Sequence, residues 1–183
     1  MTREVNFTRG RPARIFVPAT ALMLLGILFA PVVHAQDSVV ALKEKIIDIQ
    51  NAGTLGFRNF SLCSEVSTYG QYVRYPDNKV KAGGKIYFYY EPDNIYTDRS
   101  DGIYHIFFTQ DMIVEDSDGN SLLNAPTALN FKYDGKTPVL DVYGLNTLTL
   151  GDIPPGKYRF VAILHDQLRN AEVRKIYPFE VVP

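Results

Sequence analysis

After Gly56 the sequence changes its period. Segments 57–66, 69–75, 85–91, 103–115, 128–133, 139–150, 157–165 and 172–182 alternate and are rich in aromatic and β-branched residues, with Gly, Pro, Asn and Asp between them. Side chains two apart share one face of a strand, so the pattern predicts half-buried strands joined by turns, as in an all-β sandwich. The material for a core is aromatic. The chain has 12 Tyr, 11 Phe and no Trp, and each buried ring removes on the order of 150–250 Å² from water. The clearest turn is Asp116-Ser117-Asp118-Gly119-Asn120, read as a hairpin in which Gly119 supplies a positive φ. A calcium loop needs Gly at its sixth place and Glu at its twelfth; here Gly comes fourth and no acid falls near the twelfth.

The last quarter is the most specific. Ile153-Pro154-Pro155-Gly156-Lys157-Tyr158 leads into Arg159-Phe160-Val161-Ala162-Ile163-Leu164-His165-Asp166. Alternation puts Tyr158, Phe160, Ala162 and Leu164 on one face. An apolar residue, Pro-Gly, and Tyr two places on resembles the tyrosine corner of immunoglobulin-like and fibronectin type III-like sandwiches. There the phenol hydrogen-bonds back to the preceding loop. In the closing strand Tyr177, Phe179 and Val181 face inward, and Pro178, unable to donate to a ladder, suits an edge.

The stretch from 57 to 182 also resembles a class of uncharacterised secreted bacterial proteins. The residues that carry this are Leu62-Cys63, Val66, Tyr69-Gly70-Gln71-Tyr72, Ala82 through Glu91, Ile113 through Gly119, and Pro155-Gly156-Lys157-Tyr158. They are framework motifs of strands and turns. The resemblance implies an immunoglobulin-like antiparallel β-sandwich and a place outside the cytoplasm, and it supplies no active site.

Residues 37–53 predict one amphipathic helix. Asp37 or Ser38 caps it, Val39, Leu42, Ile46 and Ile49 form an apolar stripe, Lys43, Glu44, Lys45 and Asp48 lie on the other side, and Gly53 ends it. A helix this short is marginal alone, so the stripe is expected to pack on the domain that follows. A coiled coil or a docked partner is the alternative. Before it, Arg3, Arg9, Arg11 and Arg14 precede an apolar run from Ile15 to Val33 and the exit Val33-His34-Ala35. This is the pattern of a secretory signal peptide cut after Ala35. An uncleaved anchor is the competing reading, since a run of about nineteen residues approaches the ~20 that span a bilayer. The expected organisation is therefore 1–35 signal peptide, 36–55 helix and 56–183 sandwich, periplasmic or secreted, with no membrane span once the leader is gone.

The leader takes four arginines and one glutamate with it, leaving a mildly acidic domain. Such a balance gives no electrostatic case for nucleic acid or an anionic membrane surface. One cysteine, Cys63, cannot form an internal disulfide; a buried inert thiol is the expectation and an intermolecular bridge the alternative.

Catalysis needs converging groups, and past the leader only His105 and His165 are histidines. His105 lies within a strand. His165-Asp166 ends one, and with Asp111 it forms the candidate metal-ligand set, yet no two of them have a ligand-pair spacing. No Gly-x-Ser-x-Gly elbow occurs. Neither a cofactor, a metal nor an enzymatic activity is expected. The positive hint is Lys85-Ile86-Tyr87-Phe88-Tyr89-Tyr90-Glu91. If Ile86, Phe88 and Tyr90 face the core, Tyr87 and Tyr89 stand together on the other face, nearly 7 Å apart. They are the candidate ligand-binding residues. The expectation is a non-catalytic envelope-binding or assembly module for an unknown protein or glycan. The rival is a carbohydrate-binding or weakly hydrolytic module, weakened by the absence of Trp.

Overall fold

The computed structural model describes residues 34–151 and 153–183. The chain divides into two units, Met1–Asp37 and Ser38–Pro183, and the second holds every described strand. The signal-peptide reading falls on residues outside those described, save that Ala35 lies in the first turn of the helix. No described helix is long and apolar enough to cross a membrane.

Among the described residues one helix, α1 (His34–Ala52), precedes ten strands: β1 (Gly56–Thr68), β2 (Gln71–Arg74), β3 (Lys79–Lys81), β4 (Lys85–Asp93), β5 (Asp98–Ser100), β6 (Ile103–Asp116), β7 (Ser121–Gly135), β8 (Gly144–Thr149), β9 (Gly156–Asp166) and β10 (Ala171–Val182). The fold is all-β with one helix. The first sheet has the order β2-β1-β4-β8; the second runs β3-β10-β9-β6-β5, with β7 also paired to β6.

The larger of two buried clusters is shared by both sheets. Leu62, Ile86, Phe88 and Leu148 from the first sheet meet Val114, Tyr158, Phe160, Ala162, Phe179 and Val181 from the second, all buried. At its centre the Phe88 and Phe160 rings stack with centroids 3.8 Å apart. Fully burying a side chain of this size is worth roughly 1.5–3 kcal/mol, whereas a net hydrogen bond contributes about 1 kcal/mol. The rings therefore hold the sheets together, and hydrogen bonds decide how the chain enters them. The alternation expected of β9 is present: Tyr158, Phe160, Ala162 and Leu164 are all buried. The Tyr158 hydroxyl donates to the Pro154 carbonyl at 2.6 Å, the predicted corner.

Several expectations need correction. Strands β3 and β5 carry no readable period and were not foreseen. The stretch 139–150 contributes only Gly144–Thr149, and β7 begins at Ser121, not 128. β3 runs parallel to β10, so the sheets are not wholly antiparallel. β10 is not an edge strand, although Pro178 sits where it is harmless. Glu180 N donates to Asn78 O, and alternation aims the Pro178 nitrogen to the same side, before β3 begins at Lys79.

The largest correction concerns α1. Its expected stripe faces water: Val39, Leu42, Ile46 and Ile49 are 53, 61, 42 and 63% exposed. Among the described side chains of the helix, Ile47 is the buried apolar one. The opposite, polar side makes the contacts, with partners on β5 and β6 and in the segment before β5. Arg99 donates to Glu44 and Asp48, each at 2.6 Å, and the Tyr104 hydroxyl donates to Glu44. Asn51 exchanges two hydrogen bonds with the Thr97 backbone, at 2.8 and 2.9 Å.

The end of α1 is held by the β9–β10 turn. Asp166, buried, accepts from Tyr96 N at 2.8 Å and from Leu168 N and Arg169 N at 3.1 Å. Arg169 then donates to the carbonyls of Gly53 at 2.8 Å and Asn94 at 2.6 Å. Replacing Asp166 by Ala leaves three backbone donors without their acceptor and removes the carboxylate 3.6 Å from the Arg169 guanidinium; a loss of about 3 kcal/mol is expected from urea unfolding. Tyr158→Phe, which removes one hydroxyl and keeps the ring, is expected to cost about 1 kcal/mol by the same measurement.

Candidate functional site

β4 builds the candidate surface. Ile86, Phe88 and Tyr90 point into the core and are buried, so Tyr87, Tyr89 and Glu91 point outward across the first sheet. Register is fixed at Tyr90, which pairs with Gly144. A Cβ on Gly144 would lie 2.1 Å from the Tyr90 ring, so only glycine leaves room for that ring.

The expected pair of exposed rings is not what stands on this face. Tyr87 is half-buried, but Tyr89 is 0% exposed and offers no ring face to a ligand. It is covered by Tyr72, whose ring centroid lies 4.3 Å away, and by Tyr143, stacked at 5.6 Å. Tyr72 and Tyr143 are themselves half-buried. The outward surface is thus Tyr72, Tyr87 and Tyr143, with Tyr89 as its foundation. Arg74 borders it, donating to the Tyr72 hydroxyl at 2.7 Å, and Leu145 and Thr147 of β8 lie beside Tyr89 and Tyr87 in register.

A buried carboxylate anchors the group. The Tyr89 hydroxyl donates to Glu91 Oε1 at 2.8 Å and accepts from Gly70 N at 2.8 Å. Asn59 Nδ2 donates to the other oxygen, Oε2, at 2.9 Å. Asn59 has a φ of 51° at a register shift of β1 between Arg58 and Ser61, a bulge that re-aims its side chain toward Glu91. Glu91 is 4% exposed. Burial pushes the Tyr89 phenol well above the ordinary tyrosine range, with Glu91 adding to the rise. Tyr69 is raised by burial and by the charges of Glu91 and Asp141. These phenols stay neutral at physiological pH and serve as fixed donors and rings.

The histidines lie on the second sheet. His165 Nε2 meets Asp111 Oδ2 at 3.0 Å and its Nδ1 meets Glu172 Oε2 at 3.3 Å. His105 Nδ1 meets Asp134 Oδ1 at 2.5 Å. Because the carboxylates take opposite nitrogens of the His165 ring, one ion cannot reach both acids and the imidazole. Among the described residues no group of three His, Cys, Asp or Glu is placed to hold a metal. Asp166 does not join His165: alternation turns it inward, to the turn described above. Thr109, the cross-strand neighbour of His165, accepts from Gln167 at 2.8 Å. Cys63 is buried, and burial pushes its thiol pKa up, which leaves it unreactive.

Asp111 does structural work at this cluster. Its Oδ1 accepts from Thr127 N at 2.7 Å; Thr127 has a φ of 52°, a costly conformation for a β-branched residue. A groove of about 380 Å³ lies at the other end of the second sheet, with Asp77, Lys79, Ser117, Lys157, Arg159 and Glu180 among its walls. Lys79 pairs there with Glu180, and Arg159 with Glu115 outside it.

No protein-family model matches the chain, and no curated protein matches it. Among solved structures it is similar to the Pseudomonas fluorescens alkylpurine DNA glycosylase AlkC bound to DNA containing an abasic site analogue, at 8% identity and TM-score 0.40, over 82% of this chain and 36% of that one. A family 123 glycoside hydrolase from Clostridium perfringens gives 10% identity and TM-score 0.42, over 71% of this chain and 27% of that one. The PmoD soluble domain from Methylocystis sp. gives 10% identity and TM-score 0.32, over 72% and 99%. The chain spans only about a third and a quarter of the two enzymes. None of these likenesses bears on its activity.

The Asp111 carboxyl is held below the ordinary aspartate range, first by the Thr127 N–H and then by His165. A lowered folded pKa adds stability that is present above the unfolded value and lost as pH falls through the folded one. The stability gap between the wild-type chain and Asp111→Asn is expected to shrink as pH falls below about 4, measured by urea unfolding across that range.

Proposed function

We propose that this chain is a non-catalytic binding or assembly module of the bacterial envelope, secreted or periplasmic, with an immunoglobulin-like sandwich. The observation that carries the reading is the tyrosine surface: Tyr72, Tyr87 and Tyr143 half-exposed around a buried Tyr89 whose hydroxyl is bonded on both sides. Tyrosine offers a large amphipathic contact area with few rotatable bonds, which is why it is favoured at protein interfaces. Here the stacking already present between the rings lowers the entropy lost on binding. The tyrosine corner at Tyr158, with its bond to Pro154, supports the immunoglobulin-like assignment, as does the buried cluster that the two sheets share. The separation of His165, Asp166 and His105 favours binding over hydrolysis.

A protein partner is the occupant we favour, since the surface is spread across β2, β4 and the segment before β8 rather than sunk in a cleft. In Tyr87→Ala and Tyr143→Ala, capture of a partner from bacterial envelope extract by the immobilised chain is expected to fall about tenfold or more, with the fold retained by circular dichroism. Unchanged capture would refute the surface. Binding confined to a glycan array, and lost in the same variants, would transfer the site to the carbohydrate reading.

A further inference from the structure

Helix α1 offers a second surface, distinct from the tyrosines. Its residues Val39, Leu42, Ile46 and Ile49 follow a three-four-three spacing and are 53, 61, 42 and 63% exposed. An amphipathic helix whose only task is to cover a sheet turns such a stripe inward. This one turns Glu44, Ile47 and Asn51 to the domain and leaves the stripe in water.

The charges around the stripe say what suits it. At 100° per residue, Lys43 and Lys45 project on its two opposite flanks, while Glu44 and Asp48 lie on the far side of the helix. Both acids are engaged by Arg99 at 2.6 Å. The border of the stripe is therefore positive on both sides, with the helix's own negative charges turned away and compensated. A second copy fits this poorly. Four half-exposed aliphatic side chains from each copy fall short of the roughly 1,200–2,000 Å² a stable interface buries, and the seam would bring together lysines with no acid to answer them. A lipid surface needs no complementary shape. It takes an apolar stripe some 5–10 Å into the headgroup boundary and rewards lysines at its edges. The sequence adds continuity: the apolar segment Ile15–Val33 ends at the residue before α1.

We propose that α1 is an interfacial helix that lays its stripe of Val39, Leu42, Ile46 and Ile49 on an anionic phospholipid surface, with Lys43 and Lys45 at the phosphates. The attraction is local to the helix, which is how a domain of mildly acidic balance comes to rest on an anionic membrane. In this orientation the contacts of Glu44, Asp48 and Asn51 with β5 and the segment before it fix the domain to the helix, so the membrane plane and the body of the domain lie on opposite sides of α1.

The test reads α1 directly in the full chain. Nitroxide labels are placed at Leu42→Cys, at Ile49→Cys and, as a control, at Lys175→Cys on β10; Cys63, buried, does not compete for label. With vesicles of phosphatidylglycerol and phosphatidylethanolamine, collision with oxygen is expected to rise severalfold at 42 and 49, collision with a water-soluble nickel complex to fall, and neither to change at 175. With phosphatidylcholine vesicles the effect is expected to be smaller, and Lys43→Glu with Lys45→Glu is expected to remove the difference between the two lipids. Association of the chain through residues 15–33 alone would not produce this signal, because the labels report only their own surroundings. Labels at 42 and 49 that stay in water on both kinds of vesicle would overturn the proposal. So would concentration-dependent broadening between labels without lipid, which would give the stripe to a second copy.

Discussion

Strand β4 is divided between two environments, and the rest of the molecule follows from that division. Its inward residues, Ile86, Phe88 and Tyr90, hold the sheets together; its outward residues, Tyr87, Tyr89 and Glu91, make the surface. A slip of one residue would exchange the two sets, placing the Glu91 carboxylate in the inward position of Tyr90. Three features prevent it. Gly144 admits the Tyr90 ring and nothing larger on its own Cα. Tyr90 and Asn146 both donate to the buried Gln110, at 3.1 and 2.8 Å. On the outer side, Gly70, Tyr89, Glu91 and Asn59 form a chain of hydrogen bonds that closes in this register.

The helix is governed by a different balance. Exposed ion pairs are worth about 0–1 kcal/mol each, and the Arg99 contacts with Glu44 and Asp48 are of that kind. Burying an aliphatic side chain is worth more. Ion pairing alone therefore does not explain why four apolar side chains are left in water. What orients α1 is its C-terminal turn, where Arg169 binds the Gly53 and Asn94 carbonyls and Asp166 fixes the turn that carries Arg169. Ile47 and Leu55, both buried, follow from that attachment. The stripe is free for a use outside the domain.

Much of this was legible in the sequence where a local rule sufficed. Tyr158, Phe160, Ala162 and Leu164 alternate, and the motif around Pro155-Gly156 announces its hydrogen bond. The 116–120 turn is a loop closed by its own side chain, Asp116 accepting from Asp118 N and Asn120 N at 2.9 and 2.8 Å. The alternation of β4 put Tyr87 and Tyr89 on the correct face. What periodicity could not show is what covers a face. Tyr72 and Tyr143 reach Tyr89 from β2 and from the segment before β8, and only strand order brings them there. Asp111 and His165 are 54 residues apart in sequence and meet because β6 pairs with β9. The early half of β7 hides for a related reason: Leu122-Leu123-Asn124-Ala125-Pro126 has no period of its own and is a strand because β6 lies beside it. The stripe of α1 was read correctly and placed on the wrong side, since a periodic pattern gives a face and not its neighbour.

The claim on which the binding surface stands is that Tyr89 and Glu91 form one buried, coupled support beneath the exposed rings. A double-mutant cycle of Tyr89→Phe and Glu91→Gln, followed by urea unfolding, measures that coupling. The account predicts an interaction energy of about 1–3 kcal/mol, each single change costing nearly as much as both together. Additive costs, agreeing within about 0.5 kcal/mol, would mean the phenol and the carboxylate stand apart, and the surface would lose its foundation.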